Sequence, residues 1–293
     1  MSATRADAIF AVEGVSFAYP GQAPCLDAVS LEIRRGERTA LVGANGSGKS
    51  TLLHLLDGLY FPAAGRVTFA GTALSESALE TAPFGPRFRT EVGFLFQNSD
   101  AQLFCPTVED ELAFGPLQAG LAQAEVERRI DETLALLEIG RLRARPPGNL
   151  SAGEKKRVAL ASLLVLTPSV LLLDEPTAGL DPRSQSLLLE VLEALHVHGL
   201  TLVTATHDLT LIPHLADRVL VLSEEHRLVA DADPDAVLAD LDLLLAVNLV
   251  HAHAHRHGRI VHAHPHEHAA PGGRARGHDH RHDAPHGRRE RDD

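Results

Sequence analysis

Residues 9–19 alternate apolar and polar side chains, which is the pattern of a half-buried strand, and the run stops at the turn Tyr19-Pro20-Gly21. A second strand is expected over residues 28–33. Arg35-Gly36-Glu37 then turns the chain into a short apolar strand over residues 38–42. Residues 50–57 carry Leu52, Leu53, Leu55 and Leu56 on one face and predict a helix. Residues 65–69 and 91–96 read as strands. Residues 74–89 between them have no clear period and are expected to be irregular or partly helical.

The period changes in the middle of the chain. Residues 108–114 and 122–137 predict helices, the second with Val126, Ile130, Leu134 and Leu137 on one face. Pro146-Pro147-Gly148 is a break. Ser151-Ala152-Gly153-Glu154 has the S-x-x-E form of a capping box and should start a helix running to about residue 166. Residues 170–173 are wholly apolar and run into Asp174-Glu175-Pro176, as a buried parallel strand does. A helix over 183–196 and strands over 201–206 and 218–222 follow. Strands alternating with helices predict an α/β core with a parallel sheet. The expected organisation is one domain over residues 1–240, with a helical subdomain inserted at about 98–150, and a linker and tail over 241–293.

The tail differs sharply in composition. Residues 251–293 hold 12 of the 18 histidines, with Gly, Pro, Arg and Asp between them and almost nothing apolar. Such a segment cannot bury a core and is expected to be disordered. The chain's net charge of −12 argues against a broad nucleic-acid footprint, so no nucleic-acid partner is expected. Cys25 and Cys105 lack metal-type spacing and read as thiols in a reducing compartment. No signal peptide is expected at the N-terminus. The longest apolar stretch, residues 158–173, is broken by Ser162, Thr167, Pro168 and Ser169, so it does not read as a membrane span. A soluble chain is expected, and any membrane role requires a partner subunit.

The chemistry centres on Gly43-Ala44-Asn45-Gly46-Ser47-Gly48-Lys49-Ser50-Thr51, which fits the phosphate-binding pattern G-x-x-x-x-G-K-[ST] between a strand and a helix. The glycines let successive N–H groups face phosphate, and the helix N-terminus adds its positive end. Lys49 suits the outer phosphates, and the Ser50 hydroxyl suits Mg²⁺. The loop alone specifies a nucleoside triphosphate and no more. Asp174 and Glu175 lie at the carboxyl end of a buried strand, where ligands sit in parallel sheets. Asp174 suits Mg²⁺, directly or through water, and Glu175 can polarise an attacking water. The capped helix start at Ser151 is also an anion site in form.

Residues Leu150-Ser151-Ala152-Gly153-Glu154 resemble the L-S-G-G-Q signature of ABC-type ATPases, with Ala152 for Gly and Glu154 for Gln. The resemblance extends over about residues 8–235 and implies a P-loop ABC-type fold: a mixed sheet core with N-terminal antiparallel strands and a helical subdomain. It implies ATP as the nucleotide, with Tyr19 stacking on adenine, Ser151 and Gly153 facing the nucleotide, and Asp181 in a D-loop (Ala178-Gly179-Leu180-Asp181). Gln97 takes the place of a glutamine that senses Mg²⁺ and the transport partner. His207 is similar to the switch histidine that contacts the γ-phosphate. In that family two subunits sandwich two ATP molecules, so Ser151 would complete the site of a second ATPase subunit, identical or not.

Residues 97–116 resemble the ATPase subunits of energy-coupling-factor importers, above all the cobalt and nickel type. This implies a peripheral protein at the cytoplasmic face of the membrane, whose insert grips the coupling helices of a membrane subunit beside a substrate-binding membrane subunit. Leu103, Phe104 and Phe114 are the candidates, with insert core as the other reading. The tail repeats His251, His253, His255, His257 and His262, His264, His266, His268 present neutral imidazoles suited to Ni²⁺ or Co²⁺, as well as to Cu²⁺ and Zn²⁺. A solubilising tail is the competing reading. A vitamin cargo for the same ATPase type and a soluble non-transport ABC ATPase are the alternatives. A nickel-delivery GTPase would need an N-K-x-D motif, and none of Asn45, Asn98, Asn149 or Asn248 begins one.

Overall fold

The computed structural model of the chain describes residues 7–257 and 260–267, with side chains through Val250. Strands β1 (Ala8–Ala18) and β2 (Pro24–Arg34) pair antiparallel, with a register shift between Val12 and Val15. Before the shift β1 buries Phe10 and Val12; after it, Val15 and Phe17. Gly14, at φ +57°, takes up the bulge that switches the inward parity. β3 (Arg38–Val42) and α1 (Lys49–Leu56) flank the glycine-rich loop. β4 (Ala64–Phe69) pairs antiparallel with β1, and the two-residue β5 (Thr72–Ala73) completes a four-stranded sheet in the order β2-β1-β4-β5.

The aperiodic stretch over 74–89 holds two short helices, α2 (Glu76–Glu80) and α3 (Phe84–Glu91), ahead of β6 (Val92–Leu95). The insert forms α4 (Val108–Gln118) and α5 (Gln123–Leu136), and α6 (Ala152–Leu164) begins at the expected capping box. β7 (Val170–Asp174), α7 (Pro182–Val197), β8 (Thr201–Thr206), α8 (Ile212–Leu215) and β9 (Arg218–Leu222) follow. β10 (Leu228–Ala232), α9 (Pro234–Ala239) and α10 (Leu241–Ala246) come next and were not foreseen. The main sheet has the order β10-β9-β3-β8-β7-β6. Its strands run parallel apart from β10, which pairs antiparallel to β9 at the edge. Every residue of β7 and β8 is buried, because both faces of this sheet are covered.

One apolar core joins the antiparallel sheet to α1 and the main sheet. A second lies among α4, α5, α6, α7 and the opposite face of β7 and β8. A third corrects the expected domain boundary: Leu244, Val247, Leu249 and Val250 pack with Val42, Val219 and Val221, so residues 241–250 belong to the folded body and are not a linker. These apolar residues gain by leaving water, which a linker's composition would not allow.

Beyond the folded body the backbone pairs as an antiparallel hairpin of β11 (Val250–His257) and β12 (Ile260–Glu267). Its two-residue alternation suits a strand. His268 and residues 269–293 lie outside the described residues.

Candidate functional site

β3 feeds directly into the phosphate loop, and the loop's glycines are set by contact as well as conformation. Gly48 adopts φ +106°, and a Cβ there would lie 2.4 Å from the Cys25 carbonyl oxygen. At Gly43 a Cβ would lie 2.5 Å from the Leu222 carbonyl oxygen. No side chain fits either position without moving backbone. Ser47 is buried with its Oγ unpartnered, and its carbonyl oxygen lies 3.4 Å from His226 Nδ1. Asn45 and Gly46 form the exposed rim.

Lys49 is buried, and its Nζ donates to the carbonyls of Gly43 (2.8 Å) and Ala44 (3.0 Å). Burial lowers its pKa, while the nearby Glu175 and Asp174 carboxylates oppose that shift. Next in sequence, Ser50 Oγ donates to Asp174 Oδ1 at 3.0 Å. Two motifs 124 positions apart thus meet. The cause is the sheet order, which sets β3 and β7 on either side of β8.

Glu175 is also buried and holds a left-handed backbone at φ +45°. Its N–H donates to the Ala205 carbonyl at 3.0 Å, continuing the β7–β8 ladder. Its Oε1 lies 2.7 Å from His207 Nδ1, and its Oε2 accepts from Thr206 Oγ1 at 3.4 Å. Lys49, Ser50, Thr51, Gln97, Glu175 and His207 line one cleft, with Asn45, Gly46 and Gly48 on its loop side. Cys25 also lines it; as a lone cysteine in a strand it carried no signal in the sequence. Tyr19 sits beside the loop, its Oη 3.3 Å from Thr51 Oγ1. Its ring meets Phe17 and Tyr60 edge-on at 5.1 and 5.2 Å.

The remaining predicted residues lie elsewhere. Ser151 caps α6: its Oγ accepts from Glu154 N, and its own N–H donates to Glu154 Oε2 at 2.9 Å. That backbone N–H, with Arg141, holds the Glu154 carboxyl down at about 2. Gly153 packs against Ser184, where a Cβ would fall 2.8 Å from Oγ. Asp181 is the cap of α7, accepting from Ser184 N at 3.0 Å and Ser184 Oγ at 2.7 Å. Ser151, Gly153 and Asp181 do not line the cleft of their own chain. Lys156, which carries no signal of its own in the sequence, is buried and donates to the Gln97 carbonyl. Burial pushes the pKa of its ammonium down to about 8.

In the insert, Phe104 and Phe114 are exposed, with ring centroids 5.0 Å apart, whereas Leu103 packs partly into the insert core. Buried Glu111 accepts from the N–H groups of Phe104 and Cys105 at 2.9 and 2.8 Å, which fixes the loop carrying Phe104. Among the described residues no helix is long and apolar enough to cross a membrane.

A family profile described as ABC transporter matches residues 26–178. The chain is 51% identical over 245 residues to the nickel import ATP-binding protein NikO of Rhodobacter capsulatus, covering 82% of this chain and 95% of that one. It is 45% identical over 232 residues to the cobalt import ATP-binding protein CbiO of the same organism, covering 79% and 81%. The solved structure of cbiO1 from Clostridium perfringens, part of the ABC transporter complex cbiONQ, matches with a TM-score of 0.71 at 36% identity, covering 83% of this chain and 95% of that one. With its phosphate loop, buried Asp-Glu pair and capped signature turn in their places, the chain belongs to the ABC transporter family as an ATP-binding subunit.

Proposed function

We propose that this chain hydrolyses ATP to drive import of nickel or cobalt ions through membrane partner subunits. The observation that carries the hydrolytic reading is the meeting of Lys49, the Ser50–Asp174 pair and the Glu175–His207 pair in one cleft. Lys49 binds the outer phosphates as a point charge. Ser50, Asp174 and Gln97 offer the hard oxygen donors that Mg²⁺ prefers, and the bound ion would neutralise charge on the phosphates. Glu175 orients and polarises the attacking water. With its Nδ1 held by Glu175, His207 keeps Nε2 free for the γ-phosphate.

Because Ser151 and Gly153 do not line the cleft of their own chain, the reading requires a second ATPase subunit, whose site they would complete. The exposed Phe104–Phe114 pair, with exposed Leu117 nearby on α4, is the proposed seat for a membrane subunit's coupling helices. On this reading the chain sits peripherally at the cytoplasmic face of the membrane. The cargo rests on the likeness to NikO and CbiO. The tail adds support: its register sets His251, His253 and His255 opposite His266, His264 and His262. Neutral imidazole suits Ni²⁺ or Co²⁺.

The test is reconstitution of the complex with its membrane partners in vesicles. Ni²⁺ or Co²⁺ uptake that depends on ATP supports the reading. ATP-dependent uptake of a vitamin with no metal uptake overturns the cargo, and loss of ATPase dependence overturns the motor role.

A further inference from the structure

Lys156 is an unusual group to bury. It is 3% exposed, and among the described residues its Nζ has no carboxylate partner at hydrogen-bonding distance. It donates instead to two backbone carbonyls, Phe96 at 3.2 Å and Gln97 at 2.8 Å. A buried ammonium is unfavourable unless its position gives something back. Asp174 and Glu175 favour its charged form but do not bond to it.

Two further ties join the same segments. Lys155 Nζ meets Asp100 Oδ1 at 2.5 Å. Gln102 donates from Nε2 to the Ala159 carbonyl at 3.1 Å, and its Oε1 accepts from Phe96 N at 3.4 Å. Residues 96–102 are therefore strapped to α6 at positions 155, 156 and 159. The first turn of that helix carries Ser151 and Gly153, and Lys156 lies only about 5–8 Å further along the axis. At the other end of the strap, Gln97 lines the cleft.

We propose that Lys156 is a positioning residue that locks the Gln97 segment to the signature helix, so that nucleotide engaged at Gln97 in one subunit sets the Ser151–Gly153 turn that completes the partner's site. This rests on the two-subunit reading above. The strap then couples two ATP sites through one rigid piece, and its loss should affect turnover and cooperativity more than nucleotide affinity.

The experiment uses the full-length chain assembled with its membrane partners, assayed for ATPase activity across ATP concentrations. Lys156→Met removes the donors while keeping the length. We expect kcat to fall by about tenfold or more with KM nearly unchanged, since a small misplacement suffices for such a loss. The Hill coefficient should drop from near two toward one. Lys156→Gln, which keeps an N–H₂ donor, should recover part of both. Wild-type kcat and Hill coefficient in Lys156→Met, even with a lowered melting temperature, would overturn the proposal and leave the lysine a packing group. If Lys156→Met does not fold, Gln102→Leu carries the test: a smaller loss in the same direction supports the strap, and wild-type kinetics overturns it. A wild-type complex that shows no cooperativity in ATP would instead sink the two-subunit reading, and the proposal with it.

Discussion

Glu175 Oε1 lies 2.7 Å from His207 Nδ1, a contact between residues that leave adjacent parallel strands. The β7–β8 register pairs Asp174 with Ala205, so both chains emerge at the same height at the carboxyl end of the sheet. Glu175→Gln preserves this shape and can still hydrogen-bond the imidazole, but it loses the carboxylate proposed to polarise water. ATP binding should persist while hydrolysis slows by at least about 100-fold. The variant should run as a dimer in size exclusion only when ATP is present. Unchanged turnover would remove Glu175 from its proposed role, and a monomer with ATP would count against the paired subunits.

Lys49→Ala removes a buried charge that holds two loop carbonyls and that the proposed function assigns to the outer phosphates. Affinity for MgATP should weaken on the order of 100-fold, as expected for loss of charge-assisted bonds. Fluorescence titration with a nucleotide analogue measures it; wild-type affinity would refute the role.

Asp57 follows the last turn of α1, at the negative end of the helix dipole, and burial raises its carboxyl to about 7. A raised folded pKa means that the folded chain holds a proton that the unfolded chain has released. The associated stability is complete below the ordinary carboxylate range and is lost as pH rises toward 7. Asp57→Asn should therefore stabilise the protein at pH 8 relative to pH 5. After allowance for solvent screening at a partly exposed site, the difference should be on the order of 1–2 kcal/mol. Urea melts of both proteins at the two pH values decide it, and a pH-independent difference would contradict the shift.

Deleting residues 251–293 should leave basal ATPase activity intact, since the Lys49, Glu175 and His207 cleft and the Ser50–Asp174 pair precede the tail. It should remove most Ni²⁺ or Co²⁺ binding by the isolated subunit. Binding by the full chain should weaken as pH falls through about 6.5, because protonated imidazole cannot ligate metal. Calorimetry on both proteins reads this out. Equal binding by the two would leave the tail with a solubilising role.

The local chemistry was legible in the sequence because its determinants are consecutive. Gly43 to Thr51 specify a phosphate loop within one strand-turn-helix, Val170 to Glu175 specify a buried strand ending in two carboxylates, and Ser151 to Glu154 specify a helix start. In each case the physics acts over a few residues, through backbone freedom, apolar pattern or a cap bond. The overall order of motifs carried the family by resemblance.

The relations between those pieces were decided by the tertiary structure. Nothing local indicates that residues 241–250 complete the core against Val42 and Val221. Nor does the pattern of α6 show that Lys156 reaches the Gln97 carbonyl, or that Glu175 and His207 converge. The partners in these last contacts lie 32 or more positions apart, and only the strand order of the main sheet brings them within a few ångströms. Burial then fixes which polar group each must bond, because an unpaired one in the interior is unfavourable by several times RT.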